Sequence, residues 1–360
     1  MTLANTLRAR IATSGPMTVA EYMAEALLHP TLGYYTTRDP LGRGGDFTTA
    51  PEISQMFGEM LGLCLAQCWI DRGRPRGVLA ELGPGRGTLM ADATRAMGAV
   101  PGMLDALDLH LVEASPVLRA AQAKRLGDLS PRWHDSAADL PEAPLFLLAN
   151  EFLDALPIRQ FVRDGVTWRE RMVTVEADRL TLALGPPVPR PDLAHHDVAD
   201  GTVVETCPAL PGIVAEAARR VAAGGAAIFV DYGHWRSRGD TLQAVRGHAP
   251  VDPLDGPGTA DLTAHVDFEA IARAAAPSDA SAMVSQGVLL ERLGITTRAQ
   301  ALARGLSGAA LDAHVAAHRR LTHPAEMGDL FKAIALSPAG APPPPGFDPA
   351  VPDTPEEITR

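Results

Sequence analysis

Apolar residues recur at helical spacing over residues 17–28 (MTVAEYMAEALL) and 53–70 (ISQMFGEMLGLCLAQCWI), which predicts a mainly helical region over residues 1–75. Between them, residues 33–52 (GYYTTRDPLGRGGDFTTAPE) carry no strong period, the mark of a functional loop when it falls inside a compact domain. From residue 76 the texture changes to short apolar runs at 78–82, 109–113 and 145–149, with a weaker one near Trp133, separated by helical stretches. Strands alternating with helices predict parallel βαβ units joined by right-handed crossovers, and so a doubly wound α/β core. Runs at 158–163 and 166–173 flank Asp164-Gly165, a favoured hairpin turn, and are read as an inserted hairpin with the PPVPRP loop (186–191) beside it. A strand at 202–206, a helix at 210–223 and a core strand at 226–231 follow. Residues 240–280 are read as a loop and helical insertion, and 283–293 and 329–336 as final antiparallel strands around a helix at 314–321. The segment 337–360 holds 8 prolines in 24 residues and is expected to be a flexible tail.

Composition narrows the function classes. The chain has 360 residues, 46% hydrophobic and 21% charged, as in ordinary soluble globular proteins. No apolar run approaches the roughly 18 residues that cross a bilayer, and the first ten residues lack the apolar core of a secretory signal, so no membrane insertion and a cytoplasmic location are expected, the alternative being a short organellar presequence around Arg8 and Arg10 in an acid-free opening. A net charge of −11 argues against nucleic acid as partner and leaves room for cationic substrates. Cys64, Cys68 and Cys207 have no CxxC spacing and cannot form a disulfide framework, and Cys64 and Cys68, i,i+4 in an apolar helical segment, are read as buried structural thiols. His234, His248 and His265 lack metal-ligand spacing, and His314 and His318 have no companion carboxylate motif, so no metal is expected.

The chemistry concentrates at ELGPGRG (81–87). An apolar strand runs through Glu81 into Gly83, Gly85 and Gly87, where side chains would block both the turn and the approach of a ligand. Thr88 stands where a dinucleotide fingerprint wants its third Gly or Ala, and no GK[ST] follows, which excludes a P-loop. The next strand ends in Glu113, suited to accept from both ribose hydroxyls, 30 residues after Gly83 rather than the roughly 20 of the dinucleotide pattern. Asp135, after the third strand, is placed to accept from an adenine amine, and a capping role within DSAAD explains it equally well. An acidic residue two positions before the first glycine resembles the first motif of class I S-adenosylmethionine-dependent methyltransferases, where it helps orient the methionyl part of the cofactor.

Longer stretches extend that resemblance. HPTLGYY (29–35), DPLGRGGDFTTAPEISQMFGE (39–59), ANEFLDALPIRQF (149–161), VDYGH (230–234), TLQAVRGH (241–248), GTADLTAHVDF (258–268) and MGDLFKAIAL (327–336), in this order, resemble the MidA-type methyltransferase family. The family includes the mitochondrial assembly factor for respiratory complex I. The resemblance implies a class I, Rossmann-like methyltransferase sheet over 76–336 with a helical N-terminal addition and insertions near 158–200 and 240–280. It also implies S-adenosyl-L-methionine as cofactor, S-adenosyl-L-homocysteine as product, and a protein substrate with an exposed arginine, such as a complex I subunit; a homodimer stays open.

Methyl transfer demands a nucleophile held in line with the sulfonium carbon, and a guanidinium nucleophile demands carboxylates to fix its planar fork. Asn150, Glu151 and Asp154 follow the fourth strand at the carboxyl edge of the sheet, where ligands bind in such folds. Asn150 is assigned to the cofactor and Glu151 and Asp154 to an acceptor clamp, with helix capping as the alternative for both acids. Tyr34, Tyr35, Phe47 and Thr49 are expected on a substrate wall, the alternatives being core packing for the tyrosines and a helix cap for Thr49. Asp231 and Tyr232, ending the next core strand, are also placed at the substrate. The competing functions are small-molecule O- or N-methyl transfer, a non-catalytic assembly chaperone that binds the cofactor, and a nicotinamide-dependent oxidoreductase.

Overall fold

The computed structural model describes residues 2–37 and 49–350. Its centre is a sheet whose main strands, in chain order, are β1 (Gly77–Leu82), β2 (Leu107–Val112), β3 (Arg132–His134), β4 (Leu145–Asn150), β5 (Ala226–His234) and β6 (Phe331–Ser337). The spatial order is β3-β2-β1-β4-β5-β6, parallel except for β6, whose Ala333 lies opposite Val230 in an antiparallel ladder. Strand order reverses between β1 and β4, so the crevice beyond their carboxyl ends is the ligand position this topology creates.

Side chains alternate across the sheet with the period of two that strands impose. Leu79, Leu111, Phe146, Leu148 and Ile228 face the layer built by the helices Gln55–Asp71 and Thr88–Met97. Val78, Ala80, Leu82, Leu147 and Phe229 face the helices Leu210–Val221 and Phe268–Arg273. In the first layer Gly62 lets two helices touch, because a β-carbon there would stand 2.6 Å from the Ala93 carbonyl oxygen.

The N-terminal helices Leu3–Ser14 and Val19–Leu28 pack on the inserted segments through Leu7, Tyr22, Met23 and Val173. Thr18 and Glu21 form a capping box at the start of the second helix. The expected hairpin is present as Arg159–Asp164 and Thr167–Glu176, and a third strand, Arg179–Val188, pairs with it and takes in the first prolines of the supposed PPVPRP loop. Proline is tolerated there because the strand is an edge. The 240–280 insertion holds a three-stranded sheet as well as the expected helix.

Two expectations fail. Residues 283–293 are not a strand beyond Val284–Ser285: Gln286–Arg292 is a helix, with Gln286, Leu289 and Leu290 buried and Val288 exposed, a one-sided helical burial pattern rather than alternation. The Pro-rich segment is not a free tail through residue 350. Phe347 is buried in the core, the Pro345 carbonyl accepts from the Cys64 thiol, and Asp348 pairs with Arg292. Among the described residues no helix is long and apolar enough to cross a membrane.

Candidate functional site

The carboxyl ends of β1, β2 and β4 open onto a cavity of about 340 Å³ lined by Glu81, Gly83, Gly85, Glu113, Asp135, Asn150 and Glu151, and on its other side by Tyr35, Thr49 and Pro51. Gly83, Gly85 and Gly87 all take positive φ, between 53° and 75°. A β-carbon on Gly83 would also meet the Phe152 ring at 2.7 Å, so only glycine makes this turn beneath that aromatic wall. Gly87 caps the Thr88–Met97 helix and does not line the cavity; it shapes the turn from behind.

Glu81 is buried, and burial, with Glu113 nearby as the second cause, pushes its carboxyl up to about 8 although the nearby Met90 amide favours the ionised form. Its Oε2 has no partner. A buried carboxylate oxygen left unpaired is costly unless something else supplies a donor. Glu113 is better satisfied: Oε1 accepts from the Ser115 amide at 2.8 Å and Oε2 from Gln122 Nε2 at 3.1 Å. Burial still raises its pKa.

Gln122 escapes sequence reasoning. Fully buried on the helix Pro116–Leu126, it also donates to the Gly85 carbonyl at 2.7 Å and accepts from Trp133 Nε1 at 2.8 Å. One amide thus locks the glycine turn to the β2 carboxylate. A glutamine inside a helix carries no motif, and only its burial reveals it. Asp135 lies on the cavity wall, but its side chain is 89% exposed and pairs with Arg119.

The acceptor side is organised around the end of β4. Asn150 donates through Nδ2 to Glu151 Oε1 at 3.1 Å and leaves Oδ1 buried without a partner. The same Glu151 oxygen accepts from the Ala50 amide at 3.2 Å. Burial, then the nearby Asp154, pushes the Glu151 carboxyl up to about 7. Asp154 does not reach the cavity; it lies behind with Oδ1 buried and unpaired, and burial raises its carboxyl to about 6 although the nearby Tyr232 phenol favours the ionised form.

Asp231 and Tyr232 are likewise absent from the wall. Asp231 is 1% exposed and turned onto the backbone of residues 152–154, because both of its oxygens are taken by amides. The tyrosines divide. Tyr34 is fully buried in the N-terminal core, as its packing alternative required, whereas Tyr35 lines the cavity and donates to Asp261 Oδ1 at 2.7 Å. Thr49 lines the cavity and makes no side-chain cap bond; Ser54 caps the following helix instead. Phe47 lies outside the described residues. Among the described residues no group of three His, Cys, Asp or Glu side chains is arranged to hold a metal.

A family model for S-adenosyl-L-methionine-dependent methyltransferases matches residues 60–286. The protein arginine methyltransferase NDUFAF7, mitochondrial, of Xenopus laevis is 37% identical over 93% of this chain and 84% of its own length. The human protein of that name is 36% identical over 91% and 82%. The chain belongs to the MidA-type family of S-adenosylmethionine-dependent methyltransferases. A crystal structure of a member of the same superfamily from Burkholderia thailandensis, bound to S-adenosyl-homocysteine, superposes on this methyltransferase with a TM-score of 0.80 at 34% identity, covering 97% of this chain and 93% of that one. The class I fold and the cofactor follow. The expectation of a cytoplasmic protein does not stand, because the curated relatives are named mitochondrial.

The cavity suits this cofactor on its own chemistry. Two unpaired acceptors, Glu81 Oε2 and Asn150 Oδ1, stand where the methyltransferase needs partners for a donor-rich ligand, and the glycine turn leaves backbone exposed beside them.

Proposed function

We propose that this chain methylates a guanidinium nitrogen of an arginine in a protein substrate, and that the substrate is a complex I subunit or an assembly partner. The observation that carries the reading is Glu151: a carboxylate on the cavity wall, held by two donors on one oxygen and aimed from the carboxyl end of the sheet. The curated relatives named protein arginine methyltransferase align over nearly the whole chain, which supports a guanidinium as the acceptor facing that carboxylate.

In this reading Glu81 Oε2 accepts from the ammonium of the methionyl part, Glu113 from the ribose hydroxyls, and Asn150 Oδ1 from a further cofactor donor. Bound S-adenosylmethionine supplies an electrophilic methyl group on sulfur. Glu151 accepts from the guanidinium, localises its charge and orients the free nitrogen in line with the methyl carbon. A C–N bond forms as the C–S bond breaks, and the proton released by the nitrogen passes to Glu151, whose carboxyl at about 7 can hold it near neutrality. Asp154 and Tyr232 complete the acceptor side from behind: a second carboxylate there keeps Glu151 avid for protons.

Incubating the purified protein with methyl-labelled cofactor and a lysate lacking its own copy should label a protein band, and acid hydrolysis of that band should return methylated arginine. Label confined to small metabolites overturns the protein substrate. Label on another residue type overturns the guanidinium acceptor.

A further inference from the structure

Glu151 is a non-glycine residue at φ +51°, in the left-handed region that β-carbons disfavour. Its amide donates to the Val230 carbonyl at 3.0 Å, the last tie of β4 to β5, and the chain then turns away from the sheet. The next three amides, of Phe152, Leu153 and Asp154, all point at one oxygen, Asp231 Oδ2, at 3.2, 3.0 and 3.3 Å. The other oxygen accepts from the Tyr232 amide at 3.0 Å. Asp231 is therefore a buried carboxyl with four backbone donors and no face on the cavity; burial, then the nearby Asp154 and Glu151, raises its pKa against the pull of those amides. Leaving a buried amide without an acceptor costs the full desolvation penalty of that group, so three consecutive amides satisfied by one oxygen hold a turn that the backbone does not favour by itself.

We propose that Asp231 is a positioning residue for methyl transfer: by capturing three successive amides it holds Glu151 in its strained conformation and so fixes the carboxylate that faces the acceptor. The inference rests on the reading of Glu151 above. It makes Asp231 a determinant of turnover rather than of cofactor binding, because Glu81, Glu113 and the glycine turn are built on other strands.

Asp231→Asn tests it. The substituted amide places its Nδ2 against an N–H donor whichever way it turns, so at least one bond is lost and one donor is opposed. With an arginine peptide found by the labelling experiment, kcat should fall roughly 30- to 100-fold while the dissociation constant for S-adenosylhomocysteine stays within about fivefold. Asp231→Glu, which keeps a carboxyl with two acceptor oxygens, should recover part of kcat. Placed on Glu151→Gln, Asp231→Asn should add less than about threefold, since residues that act as a unit are not additive. An unchanged kcat in folded Asp231→Asn overturns the proposal, and so does a full additive loss on Glu151→Gln.

If Glu151→Gln alone keeps wild-type activity, the reading of Glu151 fails. Positioning is then decided by the Glu151 carboxyl titration followed by carbon NMR, where an identical curve in wild type and Asp231→Asn overturns it. If Asp231→Asn does not fold, adding Glu151→Gly, which relieves the left-handed strain, should restore folding. Failure of that rescue overturns the proposal as well.

Discussion

Two buried carboxylates stand at the carboxyl edge of the same sheet and meet opposite fates. Glu81, near the end of β1, has an oxygen with no partner and a carboxyl pushed up to about 8. Asp231, in β5, has four backbone amides on its two oxygens. Both are almost wholly shielded from solvent, and both follow apolar runs that look alike in sequence. The difference lies in what their neighbours do. Beyond β1 the chain makes a glycine turn whose Gly83 and Gly87 amides go to the Val112 and Pro84 carbonyls and leave Glu81 Oε2 without a donor; beyond β4 it coils back and spends three amides on Asp231. Glu81 combines an unsatisfied oxygen with a place on the cavity wall, whereas Asp231 is saturated and turned away from it, so residue type and strand position alone do not separate binding from positioning.

Substitution should expose the contrast most strongly. Glu81→Gln removes the charge meant for the cofactor ammonium and should raise the dissociation constant for S-adenosylhomocysteine about 100-fold or more, in line with breaking a buried charge pair. The ligand-free protein should melt no lower than wild type near neutral pH, because a carboxyl raised to about 8 already holds its proton there and the neutral amide replaces it without loss of charge. Asp231→Ala should do the reverse in the ligand-free protein, leaving buried amides unpaired at a cost of roughly 3 kcal/mol or more. Calorimetric titration and thermal melts on the pair decide the matter. A Glu81→Gln protein that binds normally, or an Asp231→Ala protein that melts like wild type, breaks the comparison.

The same contrast predicts a pH dependence. Glu81, Glu151 and Asp154 are raised in the folded state to about 8, 7 and 6. For carboxyls with raised folded values the folded state holds protons that the unfolded chain has released. Their stabilising contribution is therefore complete below the ordinary carboxylate range and lost as pH climbs through 6, 7 and 8. The ligand-free protein should melt roughly 3–6 °C lower at pH 8.5 than at pH 5. Affinity for S-adenosylhomocysteine should move the other way, rising up to about tenfold per unit towards pH 8 as Glu81 ionises, and Glu81→Gln should flatten that rise. A flat affinity profile in wild type removes Glu81 from the ammonium.

A smaller effect is expected from Gln122, which ties the two halves of the cofactor wall together. Gln122→Leu keeps the volume and drops the bonds to Gly85 and Glu113, and should weaken S-adenosylhomocysteine binding about tenfold, with most of the loss disappearing for an analogue lacking the ribose hydroxyls. Equal losses for both ligands would show that Gln122 does not act through Glu113.

Much of this site could be read from the chain because its physics is local. Glycines at 83 and 85, an acid two residues before them, and strand ends at Glu113 and Glu151 follow from backbone conformation and from where parallel strands stop. Contacts made across the fold left no such trace. Gln122 reaches the site from a helix face, Asp231 turns inward to a loop about 80 residues earlier, and Tyr34 and Tyr35 part company because a short helix, Tyr34–Thr37, points them in different directions. Composition misled where tertiary packing overrode it: prolines at 342–345 suggested a loose tail, yet the segment folds back to bury Phe347. The apolar GVLL of 287–290 suggested a strand, but a helix seats Gly287 so close to the Thr322 carbonyl that a β-carbon would stand 2.3 Å away.

Asp135 gives the smallest and most discriminating test of the comparison. It lines the cavity where an adenine amine would be met, yet its side chain is 89% exposed and already engaged by Arg119. By the criterion that separates Glu81 from Asp231, a carboxylate in water with a partner at hand is neither an empty socket nor a joint. Exposed ion pairs contribute about 0–1 kcal/mol, and a hydrogen bond that competes with solvent adds little more. Asp135→Ala should therefore change the affinity for S-adenosylhomocysteine by no more than about twofold. A loss of tenfold or more would mean that the 132–137 segment closes over the bound adenine and excludes water there, and unpaired burial in the ligand-free chain would then cease to be sufficient for finding the groups that bind.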